Sequence, residues 1–216
     1  MKQRRYALHL AVFGVAAIVF GAIALGVIAN EPAATLDRTA LAWAHAHAAP
    51  FLTTMMLGLS LSGGPSATSV YASVLIVAFL SARWVREAVA IAAIIYGGML
   101  LNVVVKHAFG RARPTVEHPV IALATYSFPS GHAAASTIFG GLLGILALRS
   151  AAREAHKAFA LLAAILWIGA VCTSRVYLGV HYLTDVLGGV AEGIAWLALS
   201  TLLLDIRGTS VHRAPR

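Results

Sequence analysis

The chain has 216 residues, of which 60% are hydrophobic and 11% charged, with a net charge of +8 and a mean hydropathy of +0.84. Soluble domains carry about 25% charged residues, so a deficit spread along the whole chain excludes an ordinary soluble domain and reads as an integral membrane protein. The basic balance does not indicate a nucleic-acid partner, because the Lys and Arg residues fall in short tracts between apolar runs rather than in one basic patch. The N-terminal "MKQRR" followed by an apolar run resembles a secretion signal, with "VIA" before Asn30 as a passable cleavage site. The run 7–29 is 23 residues, however, longer than the roughly 7–15 of a signal core and long enough to span a bilayer. An uncleaved first helix is expected there.

Residues 31–50 contain "TLDRTALAWAHAHAAP", which suits a short interfacial helix. The stretch 51–80 is apolar but broken by "SGGP" at 62–65. Residues 51–61 alone are too short for a core about 30 Å thick, so one span is expected at 60–80, entered through an irregular or interfacial segment. Further spans are expected at 87–106, 131–148, 157–173 and 184–204. Cys172, the one cysteine, lies in an apolar run where a packing role is expected, and no cysteine cluster is available for a metal.

Six spans with both termini inside place Lys2, Arg4, Arg5, Arg83, Arg86, Arg149, Arg153, Lys157, Arg207, Arg213 and Arg216 on the cytoplasmic side. Arg38, Lys106, Arg111, Arg113 and Arg175 fall on the other. The bias of basic residues toward the cytoplasm favours this orientation. The same parity brings four points to one face: the end of the third span, the start of the fourth, the end of the fifth and the start of the sixth. Lys106, Arg111, Arg113, Ser130, His132, Arg175, His181 and Asp185 can therefore converge. Ser130 is placed to cap a helix whose free N–H groups suit a phosphate, and Gly131 lets a ligand approach the backbone. Arginine pairs with phosphate oxygens bidentately, and lysine acts as a point charge. His181 and Asp185 are four apart and share a helix face. A carboxylate on one imidazole nitrogen fixes the tautomer and frees the other for attack, while His132 can carry a proton to a leaving group. Neither a metal nor another cofactor is required by this set.

Three stretches carry a resemblance: Lys106 to Pro114 ("KHAFGRARP"), Pro129 to His132 ("PSGH"), and Ser174-Arg175 with His181 and Asp185 in "SRVYLGVHYLTD". They resemble, in order and in full, the three signature motifs of the type 2 phosphatidic acid phosphatase superfamily. That family includes lipid phosphate phosphatases, glucose-6-phosphatase, bacterial acid phosphatases and vanadium haloperoxidases. The resemblance implies an all-α bundle of six transmembrane helices, forming one domain over 1–216 with its motifs within 106–185. It implies that His181 is the nucleophile forming a phosphohistidine, that Asp185 orients it, and that His132 protonates the departing oxygen and then activates water. Lys106, Arg113, Ser130, Gly131 and Arg175 would hold the phosphoryl oxygens. Arg111 lies outside the signature.

The expected substrate is an amphiphilic phosphate ester reached from surrounding membrane lipids. Undecaprenyl pyrophosphate is the first choice, followed by phosphatidylglycerol phosphate, phosphatidic acid and lysophosphatidic acid, in a bacterial inner membrane with the site facing the periplasm. The alternatives are a phosphotransferase acting on an alcohol, an inactive phospholipid-binding or transport protein, and a vanadate-dependent peroxidase. The intact histidines oppose the inactive protein and the apolar spans oppose the peroxidase. The loop 115–128 is expected to shape the entrance. Tyr126, Tyr177 and Tyr182 are expected in the interfacial belt, and His45 and His47, two apart, do not share a helix face for a metal. Glu192, seven residues after Asp185, either serves the site or pairs inside the bundle. Gly140, Gly144, Gly189 and Gly193 fit the spacing that lets membrane helices approach closely.

Overall fold

The computed structural model describes residues 2–29, 32–115 and 124–206. Eight helices account for most of them: α1 (Lys2–Ala29), α2 (Pro32–Ala46), α3 (Pro50–Ser62), α4 (Pro65–Ser81), α5 (Val85–Phe109), α6 (Gly131–Arg149), α7 (Glu154–Tyr177) and α8 (Leu183–Ile206). The described residues contain no strand. Among these helices α1, α5, α6, α7 and α8 are each long and apolar enough to cross a bilayer. The pair α3 and α4, bent by 46° at their junction, is long and apolar enough only when taken together, as a broken span or a re-entrant loop.

Of the two alternatives expected for 51–61, the irregular one does not hold: the segment lies within the helix α3. Pro50 and Pro65 each stand in the first turn of a helix, where proline's fixed φ is pre-set and its missing N–H costs nothing. The chain therefore restarts a helix after "SGG" instead of unwinding. Part of the expected entrance loop, residues 116–123, lies outside the described residues, as do Arg207, Arg213 and Arg216.

Helix α6 is the centre of the bundle, packed against α4, α5, α7 and α8. Its buried face is rich in small residues, from Ala133 to Thr137 and at Gly140 and Gly144. A β-carbon on Gly193 would come 3.1 Å from the Ala134 carbonyl and 2.9 Å from the Thr137 side chain. The glycines of α8 thus admit the α6 backbone, as small residues do between membrane helices. Gly140 and Gly144 do something different, receiving Ile168 and Leu161 of α7. An apolar cluster of Ile91, Ile94, Ile95, Ile138 and Leu142 fills the middle. Large apolar side chains such as Ile18, Phe51, Leu100 and Phe159 remain exposed, on outer faces that suit lipid rather than water.

Candidate active site

The four points predicted to converge meet at one end of the bundle. They surround a cavity of about 240 Å³ whose walls include Lys106, Arg113, Gly131, His132, Arg175 and His181. Two larger grooves, one between α1 and α8 and one between α2, α7 and α8, are lined by no charged side chain, so the smaller cavity is the candidate site.

His181 is delivered by the turn between α7 and α8. Gly179 takes φ 66° there, a left-handed conformation open to glycine without cost, and the chain reverses to point His181 inward. The ring is 1% exposed. Its Nδ1 lies 3.4 Å from Asp185 Oδ2 and 3.4 Å from Ser127 Oγ, and its Nε2 lies 3.1 Å from Arg113 Nη1. A guanidinium only donates, so that last contact assigns Nε2 as the acceptor and leaves the proton on Nδ1, facing the carboxylate. Burial pushes the ring's pKa down to about 4, against the opposing pull of Asp185. The imidazole is therefore neutral at physiological pH, with its Nε2 lone pair on the cavity side, where it accepts from Arg113.

The cations are held in fixed positions. Lys106 Nζ donates to the carbonyls of Tyr126 (2.9 Å) and Ser127 (3.3 Å). Arg113 donates from Nε to the Thr125 carbonyl at 2.7 Å and from Nη1 to the Val180 carbonyl at 2.7 Å. Burial lowers the pKa of Arg113, with Asp185 opposing. Arg175 is 1% exposed. Its Nη1 donates to Ser60 Oγ, while Nε and Nη2 are buried with no partner among the described residues. Unpaired donors on a buried cation are costly, and acceptors of the kind a tetrahedral oxyanion carries would satisfy them.

Two predicted residues stand away from the cavity wall. Asp185 lies behind His181, accepting from Ser127 Oγ at 2.5 Å, from the Tyr182 backbone N–H at 2.9 Å and from Arg111 Nη1 at 2.6 Å. Ser130 is fully buried and caps α6, with Oγ 3.5 Å from the Ala133 N–H. His132, on the first turn of α6, faces the break between α3 and α4; a β-carbon on Gly64 would sit 2.9 Å from its Nε2. The "SGGP" interruption thus lets the backbone pass close to His132.

Sequence reasoning did not find Asp37, Ser60, Gly64, Asn102 or Ser127. Asp37 carried one signal, an acid in an otherwise mostly apolar helix, but its partners lie far away in sequence. Glu192 pairs inside the bundle, accepting from Asn102 Nδ2 at 2.6 Å, and Asn102 itself lines the cavity. Tyr177 joins α7 to the start of α3 through Thr53 Oγ1 at 3.1 Å. Tyr182 lies under Arg111, 4.3 Å from ring centroid to guanidinium carbon. His47 stacks on Trp43.

Comparison with known proteins agrees with this arrangement. The model of the PAP2 superfamily matches residues 87–208, more than half of the chain and a range that contains the three motifs. The chain belongs to the PAP2 superfamily. It is similar to phosphatidylglycerophosphatase B of Bacillus subtilis, 38% identical over 96 residues, covering 44% of this chain and 47% of that protein. It is also similar to lipid A 1-phosphatase of Rhizobium johnstonii, 34% identical over 123 residues, covering 53% of this chain and 46% of that protein. The chain thus spans about half the length of the curated relatives it matches. The crystal structure of a transmembrane PAP2-type phosphatidylglycerolphosphate phosphatase from Bacillus subtilis superposes with a TM-score of 0.77, covering 92% of this chain and 96% of that one at 24% identity. That likeness shows a shared all-helical membrane fold, and this PAP2 protein is integral to the membrane.

Proposed function

We propose that this PAP2 protein is a single-domain lipid phosphatase that works through a phosphohistidine on His181. The observation that carries the reading is the pairing of a neutral His181, its Nε2 lone pair toward the cavity, with the two unpartnered donors of buried Arg175. Phosphoryl transfer is chiefly a matter of positioning and charge stabilisation, and preorganised donors in a dry site provide both.

In the first step Nε2 attacks phosphorus, a P–N bond forms, and the P–O bond to the lipid breaks. His132 gives its proton to the departing oxygen. The Nδ1 proton stays on the ring, held toward Asp185. In the second step His132 takes a proton from water, the oxygen attacks phosphorus, and the P–N bond breaks to release phosphate and restore His181. Lys106, Arg113, Arg175 and the Gly131 N–H hold the phosphoryl oxygens throughout, and Ser130 holds the turn that presents Gly131. Met99 and Val103 flank the same cavity, and Val103 is 49% exposed on the outer face of α5. An apolar wall running from the charged cavity to the bilayer suits an ester with a lipid tail.

The relatives' names favour phosphatidylglycerophosphate, already among the substrate candidates, and add lipid A 1-phosphate, beside undecaprenyl pyrophosphate, phosphatidic acid and lysophosphatidic acid. The distribution of basic residues supports a site on the non-cytoplasmic face of a bacterial inner membrane. The deciding experiment is phosphate release by purified protein from a panel of these lipids, in EDTA, with alkaline-quench trapping of labelled enzyme. At least one lipid should turn over and yield a base-stable, acid-labile phosphoenzyme that is lost in His181→Ala. Turnover without dependence on His181 would end this reading.

A further inference from the structure

Arg111 is a cation of the site region whose terminal nitrogens are both engaged by carboxylates away from the cavity. Nη1 donates to Asp185 Oδ1 at 2.6 Å and Thr184 Oγ1 at 2.8 Å, and Nη2 donates to Asp37 Oδ2 at 2.8 Å. Burial alone would lower its pKa, but Asp185 and Asp37 together raise it, so it stays charged between two carboxylates. It is not among the residues lining the cavity.

Asp37 belongs to α2, the short helix that does not span, and is 1% exposed. Its Oδ1 accepts from the Thr184 backbone N–H at 2.9 Å and its Oδ2 from Thr184 Oγ1 at 2.7 Å. Thr184 is the second residue of α8, whose first N–H groups have no acceptor within the helix. Asp37 therefore caps α8 from another element and adds negative charge at the helix's positive end. The next residue along α8 is Asp185.

The lengths of the contacts to Asp185 show what aims it. Arg111, Ser127 and the Tyr182 N–H bind it at 2.5–2.9 Å, whereas His181 stands off at 3.4 Å. The carboxylate is oriented by the first three and then presented to the ring. Arg111 sets Oδ1, and Asp37 holds both Arg111 and the helix start in place. A guanidinium can bridge two carboxylates in fixed geometry, and an ammonium cannot reproduce that fork.

We propose that Asp37 and Arg111 are positioning residues that fix the carboxylate of Asp185, and through it the ring of His181, and that Arg111 does not bind phosphate. This rests on the reading of His181 as nucleophile.

The test uses the full chain in lipid nanodiscs. Asp37→Asn keeps an acceptor for the Thr184 N–H but removes the charge facing Arg111. Arg111→Lys keeps a cation but removes the fork. Both should lower kcat by about 10–100-fold, the range for losing a partner that orients a histidine. KM and the inhibition constant for inorganic phosphate should stay at wild-type values, since ground-state binding is untouched. Arg113→Lys, at the cavity wall, should instead weaken phosphate inhibition. In 15N-histidine NMR the Nδ1–H signal of His181, identified by its loss in His181→Asn, should shift in both positioning variants while circular dichroism is unchanged. Wild-type kcat in Asp37→Asn would overturn the proposal, and so would weakened phosphate inhibition with normal kcat in Arg111→Lys. If either variant fails to fold, Thr184→Val removes only the hydroxyl bridge and should show the same NMR shift with a smaller kcat loss. A wild-type protein that hydrolyses no lipid phosphate would defeat the proposed function. The NMR signal would still judge the positioning: a shift in the variants supports it, and an unmoved signal overturns it.

Discussion

Replacing Gly64 with alanine should disable the site through His132 while leaving the fold intact. Gly64 has φ −72° and ψ 162°, values that alanine adopts without strain. The new methyl would lie 2.9 Å from His132 Nε2 and 3.3 Å from its Cδ2. Comfortable heavy-atom contact is about 3.5–4.0 Å, so the ring must give way by about 0.5–1 Å. The atoms it meets are the far end of a side chain, and the main chain need not move. A misplacement of about 1 Å can cost about 100-fold in rate, so kcat for Gly64→Ala should fall by about 10–100-fold. Stability should stay within about 1 kcal/mol of wild type, because alanine also restricts the unfolded chain. The assay is a double-mutant cycle on kcat with His132→Ala, accompanied by thermal unfolding in detergent. If His132 transmits the effect, adding Gly64→Ala to His132→Ala should cost little further. Full additivity of the two losses, or a wild-type kcat in the single variant, would refute the reasoning.

His132→Ala should also sort substrates by leaving group. An alkoxide leaving a lipid monophosphate needs a proton, a contribution of about 10²–10⁴-fold, whereas a lipid phosphate leaving a diphosphate has a conjugate acid with a second pKa of about 6 and leaves unaided. Rapid-quench measurement should show phosphohistidine formation slowed far more with a monoester than with a diphosphate; equal slowing would remove His132 from the acid role. The pKa of His181 near 4, below the ordinary histidine value of 6.5, means that the attacking ring stays neutral as pH falls until that depressed value is reached. The rate of phosphohistidine formation, corrected for substrate ionisation, should therefore hold from pH 7 to about 5, and a decline centred on 6.5 would contradict control by burial. The neutral ring likewise favours the folded state above pH 6.5, and that contribution should fade as pH falls toward 4. For orientation, Thr115→Cys and Ala152→Cys, each in a Cys172→Ser background, should react with an impermeant reagent from opposite sides of intact cells. External labelling at position 152 with protection at 115 would reverse the proposed topology.

The membrane class, the span positions and the three motifs were legible in the chain because each is a local property. Hydropathy over about 20 residues decides whether a helix can cross a bilayer, and parity then places helix ends on one face or the other without any knowledge of packing. His132, His181, Arg175 and Lys106 could be brought together on that basis alone. The break at "SGGP" was visible, but the helix before it and the neighbour it admits were not. Two proline-started helices meet there, and the gap between them accommodates His132, which a count of apolar residues cannot reveal.

What only the tertiary structure decided is which groups serve the catalytic ones. Arg111 meets Asp37 across 74 positions, Arg175 meets Ser60 across 115, and Asp37 caps Thr184 across 147. Contacts at such separations depend on helix order and rotation about each axis, which small residues such as Gly193 set by admitting a neighbouring backbone. Arg111 shows the difference in one residue. By charge and place in the chain it is one more cation near a phosphate site, and only the packing of α2 against the start of α8 gives both its terminal nitrogens carboxylate partners. The sequence alone determined the membrane architecture and the candidate set of site residues, because hydropathy and motif spacing act along the chain. The orientation of that set came from packing, because a carboxylate is aimed by whatever donors the fold brings within about 3 Å of it.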